Sequence, residues 1–294
     1  MISNEFLASE ILGHGAYLCV RRSGNGDVRR AGAARISTLA ERLQLRNEFD
    51  PGTPPSRDSI ALLRRRDATK GDVTDDDLLQ AEWVIHVASK REEAVGEFCG
   101  EASRLLEPVA RVRVLSGVVR PKNYTGAAMN NWAYANQVTQ QPGGAMPNAF
   151  LFPLSKTADW WRTDWMERHT YFLPRYDDHG QMTSEGHALA AAAGIPHLLR
   201  RTYKSLTEPA PAGQYDFVSY FECSDADVPM FHQVCAALRD SSATRNGASS
   251  ARARSGRVAA WRPGRSCSAD IGHNTSRRST EGRLRWDDST ARWP

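Results

Sequence analysis

Apolar and polar positions alternate clearly over the middle of the chain and lose their pattern at both ends. Trp83-Val84-Ile85-His86-Val87-Ala88 is a nearly continuous apolar run of the kind a buried strand carries. From Glu92 to Leu106 the apolar residues Ala94, Val95, Phe98, Cys99, Ala102, Leu105 and Leu106 recur at helical spacing, so one face of a helix is buried there. Val109 to Val119 then interleaves Val and Leu with Arg and Ser, which predicts a half-buried strand. The second half repeats the theme. Ala149-Phe150-Leu151-Phe152-Pro153 predicts a short strand, and Trp160–Arg168 and Thr183–Ala193 predict helices, the second ended by Gly194 and Pro196. Leu198–Tyr203 and Tyr215–Glu222 predict strands. Asp225 is expected to cap a helix from Ala226 to Arg239 that buries Val228, Phe231, Val234, Cys235 and Leu238.

Two halves of similar size and order predict an α+β pseudo-repeat, each half a ferredoxin-like unit with its helices on one sheet face. The expected division is an N-terminal extension over 1–80, an α/β domain over 81–240 with repeats at about 81–147 and 148–240, and a tail over 241–294. Within the extension, Tyr17–Val20 predicts a strand, Ile36–Leu45 a short helix and Asp50–Pro55 a loop; the segment is read as packing on something else. Residues 121–149, rich in Asn, Gln, Gly and Pro, predict a long loop.

Charge separates the tail from the body. Eleven arginines against four acids give 241–294 a charge of +7, so the first 240 residues carry −3 of the overall +4. A basic arm suits nucleic acid, yet Trp261, Trp286 and Trp293 are scattered and no helical period accompanies them, so nucleic acid is not an expected partner. The pattern stops in mid-element after Ala236-Ala237-Leu238-Arg239-Asp240. Two readings stand: a natural disordered tail of Arg, Ser, Ala and Gly, or the product of a shifted reading frame.

Composition narrows the class. With 40% hydrophobic residues, eight Trp, eight Tyr and nine Phe, a wholly disordered chain is excluded. No apolar run approaches the roughly 20 residues of a membrane helix, and the start, with Glu5 and Glu10, lacks a secretory pattern. Five scattered cysteines without paired spacing predict reduced thiols and a cytoplasmic protein.

The most informative stretch is Phe152-Pro153-Leu154-Ser155-Lys156-Thr157-Ala158-Asp159-Trp160-Trp161, where adjacent tryptophans serve either as a core anchor or as a wall for a flat ligand. The motif Ser155-Lys156-x-x-Asp159-Trp160-Trp161 resembles that of the chlorite dismutase family of haem proteins. So does the spacing of thirteen from His187 to Arg200, together with Asp216–Glu222 and Phe231–Arg239. The resemblance is clear over 150–239, weaker over 82–148, and absent from 1–80 and the tail.

The resemblance implies a dimeric α/β barrel-type domain that binds haem b and assembles as a ring-like homo-oligomer or dimer, without a membrane partner. It implies His187 as the iron ligand and Arg200 as the distal catalytic cation. Lys156, Trp160, Trp161 and Tyr124 are then the cofactor-binding residues. The substrate expected is a small anion, chlorite or peroxide, with chlorite decomposed to chloride and O2. A related branch, the coproheme decarboxylases, uses a tyrosine where Phe152 stands and usually lacks the distal arginine, so both positions favour the chlorite-type pocket. The alternatives are a haem protein with weak peroxidase-like activity, a coproheme decarboxylase-type role, a haem-binding or sensing protein, and a haem-free module. The proximal carboxylate of the family is expected just after Asp240, where this sequence departs, and the last strand of the second repeat is expected to be missing. His169, His179 and His197 are read as ordinary surface or hydrogen-bonding residues. Arg201, alternating with Arg200, is read as a surface ion-pair residue on the other sheet face.

Overall fold

Strand β1 (Gly13–Arg22) is buried on both faces, which is why its sequence reads as apolar without strict alternation. Ala16, Leu18 and Val20 point toward helices, whereas Tyr17 and Cys19 point the opposite way. The computed structural model describes residues 10–23, 28–47, 55, 58–65, 76–120, 146–239, 250–251 and 260–263, all within a compact unit over 1–264. After β1 come α1 (Val28–Arg42), β2 (Arg46–Asn47), β3 (Ser59–Arg65), α2 (Asp76–Leu79), β4 (Trp83–Ser89), α3 (Glu92–Leu106) and β5 (Ala110–Val119). The second half contains β6 (Asn148–Lys156), α4 (Ala158–Arg162), α5 (Trp165–Thr170), the hairpin of β7 (Arg175–Tyr176) and β8 (Met182–Ser184), and α6 (Gly186–Ala192). It continues through β9 (Leu199–Lys204), β10 (Phe217–Cys223), α7 (Val228–Arg239), β11 (Ser250–Ala251) and β12 (Ala260–Pro263).

The pairing bears out the pseudo-repeat. In the first half the strands lie in the order β5-β1-β4-β3, and in the second in the order β9-β10-β6-β12, which is the same arrangement of four strands. The halves join where β5 meets β9, Val118 opposite Lys204, and where β12 lies between β3 and β6. Eight strands therefore close into a ring with no free edge among them. β2 and β11 add short pairings to β3 and β6.

Several expectations are corrected. Residues 13–65 are not an extension packed on another domain. β1 pairs with β4 and β5 over its length, so the first repeat begins at Gly13 and not at 81. Two strands come from beyond residue 240, and β12 takes the place of the strand expected to be missing; backbone pairing needs no apolar pattern, so composition gave no sign of it. The predicted helix Trp160–Arg168 is two short helices, and Thr183–Ala193 is β8 followed by α6. The second break falls at Gly186, whose φ of 67° and approach to Leu173 leave no room for a side chain: a Cβ there would lie 2.4 Å from the Leu173 carbonyl oxygen. Asp225 accepts from the Asn148 amide at 2.9 Å, and the start of α7 is held by Ser224 and Asp227.

The core has three parts. Helices α1 and α3 cover the outer face of the first repeat through Ile36, Leu39, Val95, Phe98 and Ala102. Helix α7 covers the second through Phe231 and Val234, with Phe231 stacked 3.9 Å from Phe150. The third part fills the barrel, where Leu63, Val84, Leu115, Leu151 and Val218 surround Tyr17, Tyr203 and Tyr220. His86, Arg201 and Glu222 are also fully buried, at 0–1% exposure. Arg201 is thus an interior residue and not a surface one. Its strand has a second buried face because the sheet closes. Burial raises the Glu222 carboxyl to about 7, against the opposing pull of the Tyr220 hydrogen bond and of Arg201. No helix among the described residues is long and apolar enough to cross a membrane.

A chain ending at residue 240 leaves the edges of β3 and β6 unpaired. It should melt lower than the full chain and self-associate, whereas one ending at 264 should not; thermal melts with light scattering compare them. The folded chain keeps the Glu222 proton over the window from pH 4.5 to about 7 in which the unfolded chain has lost it. Stability should therefore fall as pH rises through that window. Glu222→Gln should flatten this dependence in urea titrations at pH 5 and pH 8.

Candidate functional site

Strand β6 delivers Lys156 to the start of α4, and Thr157 turns the chain by accepting the Trp160 backbone N–H on its Oγ1 at 3.2 Å. That turn sets Trp160 and Trp161 beside Lys156, whose Nζ lies 4.4 Å from the Trp160 ring centroid. Buried Asp216, just before β10, fastens the corner. Its Oδ2 accepts the Lys156 N–H at 2.6 Å and Trp161 Nε1–H at 3.3 Å, and its Oδ1 accepts the Ala210 N–H at 2.7 Å. Burial depresses the Lys156 amine to about 7, with Asp216 opposing the shift.

Helix α5 and the turn after it form the next wall. Trp160 meets Tyr171 edge-on at 5.5 Å and Phe172 at 6.1 Å, and Phe172 in turn meets His187 at 5.3 Å. Arg168 stacks over Trp161 at 5.4 Å and Trp160 at 6.0 Å. Its Nε is buried and makes no hydrogen bond within the described residues. The backbone N–H of His187 donates to the Tyr171 carbonyl at 3.3 Å, which ties α6 to the same wall.

Arg200 enters from β9. Its Nε donates to Thr202 Oγ1 at 3.2 Å, Thr202 shares a hydrogen bond with Ser219 at 3.0 Å, and the guanidinium lies 5.7 Å over the Phe221 ring. These neighbours are on the helix-facing side of the sheet. Burial lowers His187 to about 3, and the cations of Arg200 and Lys156 add to the fall, so the imidazole is neutral.

The structure thus brings together Lys156, Trp160, Trp161, His187 and Arg200. Tyr124 lies outside the described residues, as does the stretch just after Asp240 where a carboxylate for His187 is expected. The His169 side chain is likewise outside them. His179 sits on the exposed β7–β8 turn, and His197 pairs with Asp227 at 2.9 Å on the surface. Sequence reasoning missed Arg168, Tyr171 and Phe172. Nothing marks them in the sequence, because the contact depends on the turn between α5 and β7.

Chemically, the arrangement presents a neutral imidazole, flat aromatic walls and the cations Lys156, Arg168 and Arg200, with Asp216 as the carboxylate in contact. Among the described residues no three His, Cys, Asp or Glu side chains converge on a point. A metal held here through His187 would draw its remaining ligands from a prosthetic group or substrate.

No family model matches the chain, and no curated protein does. Solved structures do. The chlorite dismutase of Candidatus Nitrospira defluvii in complex with imidazole is 18% identical, with 88% of this chain and 95% of that one covered and a TM-score of 0.60. Its variant with an arginine replaced by alanine gives the same identity, coverage and TM-score. A protein provisionally described as a chlorite dismutase is 13% identical, over 85% of this chain and 94% of that one, with a TM-score of 0.55. The chain has the chlorite dismutase fold.

Removing the Asp216 carboxylate leaves three N–H donors without their acceptor at a buried corner. Asp216→Ala should cost on the order of 3 kcal/mol, read as a shift in urea midpoint.

Proposed function

We propose that this chain is a chlorite dismutase-type enzyme that binds haem b in the cleft between α4–α6 and the β9–β10 face, with His187 as iron ligand. The observation that carries this reading is the neutral His187 imidazole beside the Arg200 guanidinium, in a cleft walled by Trp160 and Phe172. The donor set fits an iron porphyrin. His187, as a neutral imidazole, would bind the iron, the aromatic rings would flank a flat macrocycle, and Lys156 with the Arg168 Nε, which makes no hydrogen bond among the described residues, would meet anionic side groups.

When bound, haem iron supplies the redox chemistry that converts chlorite to chloride and O2. The chain's own residues bind and orient. Arg200, held by Thr202 and by stacking on Phe221, offers a permanent positive charge, and so keeps an oxyanion at the reacting centre. Trp160, Tyr171 and Phe172 exclude water from the imidazole side. Phe152 on β6 has no phenol to donate a proton or electron, which argues against a decarboxylase of the coproheme type. The small anionic substrate, a homo-oligomeric ring and a cytoplasmic location belong to the same proposal; the thiols of Cys99 and Cys223 suit a reducing compartment.

Haemin titration of the chain should give a histidine-ligated Soret band that His187→Ala loses. Adding chlorite to the loaded protein should release O2, and Arg200→Ala should lower that rate by on the order of a hundredfold while keeping the Soret band. A normal spectrum without O2 release would replace this reading with a haem protein of weak peroxidase-like activity. No Soret band would leave a haem-free module.

A further inference from the structure

Inside the barrel, apart from the cleft, lies a polar cluster that the proposed reaction does not use. Tyr17, His86, Tyr203, Tyr220 and Glu222 are each 0% exposed, and Arg201 is 1% exposed. The rings are packed in one group. Tyr17 is 4.8 Å from His86 and 5.6 Å from both Tyr203 and Tyr220, and the His86 and Tyr220 rings are nearly parallel at 6.3 Å. Two phenols point at a base: Tyr220 donates a short hydrogen bond to Glu222 Oε1, and Tyr203 Oη lies 2.8 Å from His86 Nε2.

We propose that Tyr220 and Glu222 form a redox-active tyrosine centre: a strong one-electron oxidant removes an electron from the Tyr220 phenol as its proton crosses to Glu222. The phenol becomes a neutral phenoxyl radical, the carboxylate becomes a carboxylic acid, and the oxidant gains the electron. The oxidant is of the class the neighbouring cleft would generate, an oxidised metalloporphyrin or an oxychlorine species; only that source rests on the function proposed above.

Geometry selects Tyr220 among the three tyrosines. Its proton has a ready acceptor, and Glu222 Oε2 makes no hydrogen bond among the described residues, which leaves the carboxylate with unspent basicity. The Tyr17 hydroxyl likewise makes none, so Tyr17 has no base to take its proton and serves as a stacked neighbour that spreads the charge. Moving the Tyr203 proton to His86 would set an imidazolium near Arg201 in the same interior, which burial opposes. The centre is also wired to the cleft. Phe221, under the Arg200 guanidinium, is the next residue after Tyr220, and Arg201 follows Arg200 on the strand paired with it. Each adjacent pair therefore has one member toward the cleft and one in the barrel. An oxidising equivalent drawn inward this way reaches a site that solvent does not.

The test uses the full-length chain without haem, at pH 8. A ruthenium polypyridyl complex with a sacrificial acceptor generates the one-electron oxidant by light, and freeze-quenched samples are read by EPR. A tyrosyl signal is expected that Tyr220→Phe loses and Glu222→Gln loses for the most part. Tyr17→Phe and the exposed-site Tyr176→Phe should retain it. In the unsubstituted chain, proton ENDOR after exchange into D2O should show one strongly coupled hydrogen-bond proton, which keeps the test open should a variant fail to fold. An undiminished signal in Tyr220→Phe or Glu222→Gln, or no such coupled proton, would overturn the proposal. Haemin-loaded chain treated with peroxide should give the same signal; failure to bind haem would sink the proposed function and leave the photochemical result standing.

Discussion

Side-chain alternation on β9 and β10 is the constraint on which both polar centres depend. A strand sends successive residues to opposite faces, and here both faces are buried, one under α6 and α7 and the other inside a closed barrel. Arg200 and Thr202 therefore face the cleft while Arg201 and Tyr203 face the interior, and across the ladder Phe221 and Ser219 oppose Tyr220 and Glu222. A slip of one residue in this pairing would exchange the two sets. The cleft would then receive a carboxylate in place of its guanidinium support. The register is braced by close packing: a Cβ on Gly15 would lie 2.1 Å from the Tyr203 ring, and one on Gly117 2.5 Å from the Lys204 carbonyl oxygen.

The two centres manage charge differently. In the cleft Lys156 and Arg168 lie against aromatic faces, and Asp216 is occupied with backbone and indole N–H groups. In the barrel Arg201 shares the interior with Glu222, and the tyrosine hydroxyls supply the hydrogen bonds that a buried ion needs. A cluster of this kind costs stability relative to an apolar filling of the same volume, which is why its ordered arrangement of phenols and bases calls for a role in chemistry.

Closure of the sheet makes that interior possible. Seven strands would leave β3 and β6 with open edges and Ala149, Leu151 and Leu63 near water; β12 lies between them and removes both edges. The strand comes from a segment whose composition gives no hint of structure, because pairing is made by backbone groups that every residue but proline carries in full.

The elements that bury one face against a helix were legible in the sequence, as with α3 and α7, because a 3.6-residue period directly reports a single apolar stripe. The motif from Ser155 to Trp161, and the spacing of His187 and Arg200, were legible only through their resemblance to the chlorite dismutase family. The strand character of Tyr17–Val20 was visible as well, but its place at the centre of the first repeat was not, since partners 60 to 100 residues away determine it. Arg168, Tyr171 and Phe172 join the cleft only through the turn between α5 and β7. Arg201 reads as a surface charge until the sheet closes. Sequence by itself determined which residues alternate and which periods they follow. Tertiary structure decided what each face meets, because burial is a property of the closed barrel and not of any one strand.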